Sequence, residues 1–510
     1  MRVTLVICLL AIAAVVSPAA VIRVPADQPT IQMGVLAATD GDTVLVAPGV
    51  YEETVVVSDR EIALRSVGGA GETVINAAGH PHGLSFSGDV GASALARGFT
   101  ITLSHSAAVD CAVGTAPTLS DLVVTGNAGL GMRCTDAAVL IEECEFASSN
   151  AAGGMHLSGG QVRLHACLFS GGGNSVDTGA HLDMVGCVFD GRRTPGLRGA
   201  GLDVRGSALF AEGCDFSGYM SDGALALNDP GDVTLTECTF TDNHATPGGG
   251  FFCDGAAPSG SKIELTRCLF ERNSTSANGG AAAIRYADRV VFTDCVFREN
   301  TAPGLGGAVN THDTVVVKFD GCEFYDNYAG NDGGGVRTYA VSEDVHVTFD
   351  HCLFVGNDCA DRGAALRVSQ CSGLITHCTV YDCDAAAHGG SIHIRSATPP
   401  DVVACIIAGG AGYGISTNPD SGIPDVMYCD VFDMSTGLYE PPFPDYTGTA
   451  GNISADPLFC GAATGDFTLH ELSPCAAGGP GGGAIGAFGT GCGGTSVEQQ
   501  SWGVIKAMYR

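Results

Sequence analysis

Basic residues are scarce in this chain. Twenty-four lysines and arginines stand against 55 aspartates and glutamates, for a formal net charge of −31. That balance disfavours nucleic acid and anionic membranes as partners, and its plainest meaning is a solvated acidic surface. Tryptophan occurs once and aromatic residues make up only 7% of the chain, whereas glycine occurs 74 times. Such a composition suits tight, repeated turns, while the 45% hydrophobic content excludes a disordered chain. Beyond residue 16 no apolar run reaches the ~20 residues a membrane-spanning helix needs. There is no Cys-x-x-Cys pair, phosphate-binding glycine loop, zinc-protease string or nucleophile elbow. The common metal-finger, nucleotide and serine-hydrolase chemistries are therefore absent.

What is present is a repeat. Cys238-x-Phe240-x-x-Asn243 returns as Cys268, Phe270 and Asn273, then as Cys295, Phe297 and Asn300. Cys322, Phe324 and Asn327 follow, then Cys352, Phe354 and Asn357. Most rows lead into a glycine turn and a small-then-apolar pair, as in Gly306-Gly307-Ala308-Val309, and the unit recurs every 24 to 30 residues. Each unit has room for short alternating strands but not for a long amphipathic helix. One such unit cannot bury its own apolar face, whereas stacked copies can, with strands paired in parallel from turn to turn. The expected fold is all-β, a right-handed parallel β-helix solenoid with a short N-terminal helical cap and a C-terminal cap.

Most of the 22 cysteines occupy one place in this row, from Cys144 to Cys429. Equivalent positions in a stack lie ~4.8 Å apart with parallel side-chain directions. A disulfide needs converging Cβ atoms about 3.8 Å apart. The ladder should therefore consist of reduced, buried thiols. Cys359, Cys371, Cys383, Cys460, Cys475 and Cys492 lie off the ladder and are the disulfide candidates. The row asparagines should hydrogen-bond along the stack.

In chain order, residues 1–20 read as a secretory signal peptide, with one early arginine, an apolar run and Ser17-Pro18-Ala19 as a cleavage signal. The mature protein is expected outside the cytoplasm, in the periplasm, at the cell surface or extracellular. Residues 21–97 should form the N-terminal cap and first turns, with a short helix near 30–38. Residues 98–455 carry the repeats, 456–495 a closing cap and 496–510 a tail. The proline- and tyrosine-rich stretch 434–451 should be a loop or lid over the last turns. Gly49, Tyr51 and Glu53 resemble the Gly-x-Tyr-x-Glu region of pectin methylesterases, in the pectate-lyase-like superfamily. That resemblance implies a β-helix. The Phe-x-x-Asn and Gly-Gly-Ala rows over 238–395 resemble repeats of the chlamydial polymorphic outer-membrane proteins, which implies a surface adhesin.

Functional groups of a β-helix sit on the outward positions of one stacked sheet. Counting from each glycine turn places Arg285, Asn310, Arg337, Arg367 and His393 in one outward file, with His312, Tyr339 and Arg395 one alternation later. The file spans about 19 Å at strand spacing. Its arginines and tyrosine suit an anionic polysaccharide or cell-surface glycan, gripped through guanidinium–carboxylate bonds. Arginines on an exposed sheet also serve simply to prevent aggregation. Arg193-x-Pro195-x-x-Arg198 is similar to a pectate-lyase string whose first arginine is the catalytic base, so a lyase would use Arg193. The Trp-x-Asp-His string and the calcium-binding aspartates of that family are missing, so calcium has no motif and no metal or cofactor is expected. Without an Asp-Asp dipeptide or Gly-His-Gly, a polygalacturonase is also disfavoured. His156 and His181, at similar places in neighbouring turns, are candidates for a shared ligand. The preferred reading is a non-catalytic glycan-binding protein. The alternatives are a polysaccharide lyase or hydrolase, and a structural rod.

Overall fold

The computed structural model describes residues 19–147, 150–193, 200–220, 223–255, 260–341, 345–385 and 389–492. The stretch read as a signal peptide, positions 19 and 20 apart, and the 496–510 tail therefore lie outside the described residues. Parallel sheets of 17, 16 and 16 strands run the length of the molecule, and a fourth, six-stranded ribbon joins them partway along. The chain winds through them as a right-handed parallel β-helix.

One turn shows how sequence makes the coil. Val233–Thr236 lies in the first sheet, Thr239–Thr241 in the second, His244–Ala245 in the ribbon and Phe251–Asp254 in the third sheet. The corners at Glu237 and Asp242 are single left-handed residues, with φ of 54° and 56°. Cys238 follows the first corner and Asn243 the second, and both side chains are buried. The next turn repeats this in register, pairing Phe240 with Phe270 and His244 with Ser274.

Stacked identity fills the core. Phenylalanine rings from Phe146 to Phe354 form one continuous stack, with centroids 4.6–5.0 Å apart at each step. Asn243, Asn273, Asn300, Asn327 and Asn357 form the expected ladder. Asn300 Nδ2, for example, donates to Asn327 Oδ1 at 2.9 Å and to the Phe270 carbonyl at 3.0 Å. The row cysteines are buried and unpaired, as their spacing requires.

Two expectations need correction. Among the off-ladder cysteines only Cys460 and Cys492 are bonded to each other, with Cα atoms 5.8 Å apart. Cys359, Cys371, Cys383 and Cys475 are buried free thiols. Cys359 continues a stack of alanines, pairing in register with Ala329 and Ala385, so it has no thiol beside it. Cys383 takes the place of the next ladder asparagine and receives Asn357 Nδ2 at 3.9 Å.

The second correction concerns the C-terminal end. Met434, Tyr439 and Phe443 join the main core, so the stretch read as a lid closes the last turn. The segment expected to be the cap instead lies against the outside of the second sheet. There Leu469, Cys475 and Ile485 pack on Ile406 and Ala408. At the opposite end, helix Ile31–Ala37 covers the first turn, capped by Thr30. Glu53 receives the Ile31 and Gln32 amides at 2.8 Å each, where a carboxylate suits a helix N-terminus.

Candidate functional site

Register fixes two outward files on the third sheet. The first runs through Asp203, Ala226, Phe252, Ala283, Asn310, Arg337, Arg367 and His393. The second runs through Arg205, Asn228, Asp254, Arg285, His312, Tyr339, Ser369 and Arg395. Arg285 thus stands beside His312, one alternation away from the file the sequence count gave it. The reason is local: after Gly279-Gly280 the first inward slot is filled by Ala282, and Ile284 fills the second.

The glycine turns build a wall along the first file. Gly306 has φ +66°, and a Cβ there would meet the Val309 carbonyl oxygen at 2.4 Å and Asn310 Cβ at 2.8 Å. Only glycine lets the loop lie so close to the strand that follows. Ala283 and Asn310 are consequently buried although they point away from the core. What remains open is a strip made of the second file, Ser369 apart, with Asp203, Phe252 and Arg337 of the first.

Its upstream part is a bay of about 330 Å³ lined by Asp203, Arg205, Asn228, Thr246, Pro247 and Phe252, with Ala200 and Ala226. Asn228 Nδ2 donates to Asp203 Oδ1 at 2.9 Å, and Arg205 pairs with the other carboxylate oxygen. Arg285 lies 5.0 Å from the Phe252 ring centroid and pairs with Asp254 at 3.0 Å. The charges in this part are matched, and an aromatic ring lies among them.

Downstream the balance changes. Arg337 sits over Tyr339 at 4.7 Å and donates to Asn310 Oδ1 at 3.3 Å. Arg367 is only 7% exposed, and the nearest carboxylate to its Nε is Asp332, at 3.7 Å. Arg362, from the loop before this strand, donates to Asn418 Oδ1 at 3.0 Å. Burial lowers the pKa of Arg337 and takes that of Arg367 down to about 10, with Asp332 opposing the shift in both. Burial also raises the pKa of Asp332.

His393 is not a surface contact, contrary to the sequence count. It is fully buried, with Nε2 2.9 Å from Asn418 Oδ1 and Nδ1 2.7 Å from Ser416 Oγ. The amide oxygen can only accept, so Nε2 carries the proton and Nδ1 accepts from the serine. Burial, with the charge of Arg367, takes its pKa down to about 2, and the ring is neutral. His393 therefore positions Asn418, which in turn holds Arg362.

His312 lies 3.1 Å from Asp313 and tilts against Tyr339, and Arg395 is exposed at the far end. Sequence reasoning missed Asp332, Arg362 and Asn418. All three lie outside the strands, and outward alternation gives no signal for them.

Arg193 ends a short 3-10 turn, Gly191–Arg193, and residues 194–199 lie outside the described residues. His156 and His181 fall on different sheets, beside Asp177 and Asp183, and share no site. Elsewhere, Asp350, His351 and His377 bring three donor atoms within 4.8 Å of one another. The two imidazoles stack in parallel at 4.8 Å, so their in-plane lone pairs do not converge on one point. Nδ1 of His351 and Nδ1 of His377 are also engaged, by Asp350 and Thr376. No helix among the described residues is long and apolar enough to cross a membrane.

The family model described as right handed beta helix region matches residues 82–240 and 198–361, together more than half of the chain. No curated protein matches the chain in sequence. Among solved structures, the chain is similar to a mannuronic acid specific polysaccharide family 6 lyase from human gut microbiota. The identity is 11% and the TM-score 0.26, with 80% of this chain and 78% of that one covered. A PL6 family polysaccharide lyase from Pseudopedobacter saltans gives 10% and 0.25, covering 84% and 94%. A tailspike capsular polysaccharide depolymerase from Acinetobacter baumannii bacteriophage Fri1 gives 10% and 0.24, covering 82% and 62%. At these scores the likenesses carry no argument about activity.

Proposed function

We propose, for a chain that belongs to the right-handed β-helix family, that it binds an extended glycan along the outer face of its third sheet. An anionic polysaccharide or cell-surface glycan is the class its groove suits best. The observation that carries this reading is the groove floor itself. The bay holding Phe252, Asp203, Asn228 and Arg205 shares one sheet face with Tyr339, Arg337 and Arg367 farther along. From the strand of Asp203 to that of Arg367 is six strand steps, or about 29 Å. An aromatic ring among planar hydrogen-bonding side chains suits sugar rings, which present an apolar face and a rim of hydroxyls. A purely structural rod needs neither the wall of glycine turns nor buried guanidinium groups beside it. Export, the expectation from residues 1–20, is part of the same proposal.

The test is a glycan array probed with wild type, Phe252→Ala and the double variant Arg337→Ala/Arg367→Ala. Loss of the wild-type signal in the variants is expected. Equal signals in all three proteins would remove the groove. Unsaturated uronate released from an acidic polymer would turn the binding protein into a lyase.

A further inference from the structure

At the downstream end of this face three arginines carry N–H groups without a hydrogen-bond partner, as Nε of Arg285 does upstream. Arg367 is more than nine-tenths buried, yet its Nε and Nη1 have no hydrogen-bond partner, and neither do Nε of Arg337 and Nε of Arg362. Buried donors of this kind are expensive, because each has lost its water without a replacement. Two of the three side chains are nevertheless held in place. Arg337 is fixed by Asn310 and by the ring of Tyr339, and Arg362 by Asn418, itself hydrogen-bonded to the neutral His393. Arg367 lies on the strand between those of Arg337 and His393, with Asp332 3.7 Å from its Nε. Among the described residues, four guanidinium groups gather here (Arg337, Arg362, Arg367 and Arg395) against two carboxylates, Asp332 and Asp361. One anionic ligand group would take up charge that these carboxylates leave unmatched.

We propose that Arg337, Arg362 and Arg367 form a dedicated recess for one oxyanion of a sugar, a carboxylate or a sulfate ester. A guanidinium offers its N–H groups in a planar fork that matches either anion, with charge-assisted bonds stronger than neutral ones. This deepens the groove reading and rests on it for the direction of the polymer. The upstream bay is different in kind. There Asp203 is matched by Arg205 and Asp254 by Arg285, so an acidic sugar would meet carboxylates without spare cations. From the strand of Phe252 to that of Arg337 is three steps, or about 14 Å. The ligand is therefore an oligosaccharide segment with an uncharged ring in the bay and an acidic group in the recess. A polymer charged on every residue fits less well.

The experiment is calorimetric titration of the full chain with sodium glucuronate, sodium sulfate and glucose. Wild type is compared with Arg367→Gln and with Arg362→Gln, whose side chain is 31% exposed and tolerates exchange better. Saturable binding of glucuronate, sulfate or both is expected, with none of glucose. Binding should weaken about tenfold or more in Arg362→Gln once circular dichroism shows it folded. Saturation by glucuronate alone identifies a uronate as the source of the anion, and by sulfate alone a sulfated sugar. The recess is overturned if neither anion saturates, or if both arginine variants bind as wild type does. A neutral glycan held on the array through Phe252, with no anion binding, removes the recess and leaves the groove. Anion binding in a protein that captures no glycan removes the groove and leaves the recess.

Discussion

The buried thiol of Cys475 donates to the buried carboxylate of Asp430, with Sγ 3.0 Å from Oδ2. The other carboxylate oxygen receives the Ala455 amide at 3.0 Å. Asp430 stands on the second sheet and Cys475 in the segment that folds back over it, so this contact ties the two together.

Burial raises the pKa of Asp430 above that of an unfolded aspartate. Between about pH 3.9 and its folded value, the folded chain binds more protons than the unfolded one. This group's contribution to stability therefore falls as pH rises through that window and is level above it. Cys475→Ala removes one donor from a buried charge and should cost about 1–3 kcal/mol at neutral pH. The cost should be smaller at a pH where the carboxylate is protonated. Urea unfolding of both proteins at several pH values, on chains that keep the Cys460–Cys492 disulfide, provides the check. A cost independent of pH would contradict the assignment.

His393 gives the opposite sign. Its folded pKa lies near 2, far below that of a free imidazole. Stability from this site is complete above about pH 6.5 and is lost as pH falls, because the unfolded chain then takes up a proton the folded one refuses. In a nitrogen-detected NMR titration the His393 ring should hold its Nε2–H tautomer from pH 8 to pH 5. A midpoint near 6.5 would mean the ring is open to water.

The ladders predict costs that depend on position in the row. Asn300→Ala leaves the Asn273 backbone N–H without its partner in a dry interior and takes one hydrogen bond from the Phe270 carbonyl. The expected loss is on the order of 3 kcal/mol. Phe270→Ala opens a gap between two stacked rings and should cost about 3–5 kcal/mol. Substituting exposed His244, at the edge of the same repeat, should cost less than about 0.5 kcal/mol. Denaturant midpoints on the three variants would show whether this order holds.

Thiol chemistry should separate the cysteines into two sets. Burial takes the thiols of Cys253 and Cys383 up to about 12, and no ladder cysteine reaches the surface. Native protein exposed to iodoacetamide should remain unlabelled at these positions, and unfolding should expose them all. Cys460 and Cys492 should stay unlabelled even when unfolded, until a reductant is added. Peptide mass spectrometry reads both outcomes, and labelling of the native ladder would contradict the stack.

Much of the chain could be read directly from the sequence because each turn repeats the same residue in the same setting. The coil, the reduced cysteine ladder, the asparagine ladder and the short helix at the first turn all follow from the period and from strand spacing. The face that carries the candidate site was visible for the same reason. Which alternation each arginine occupies was not, since Ala282 is small enough to disguise an inward slot and shifted Arg285 by two residues. Sequence by itself therefore determined the solenoid and the sheet that bears Arg337 and Arg367. Only tertiary structure decided that His393 is buried, that Asp332, Arg362 and Asn418 surround Arg367, and that residues 456–492 lie on the second sheet. Those outcomes depend on how loops from different turns fold against one another, and a pattern that repeats along a strand carries no information about that.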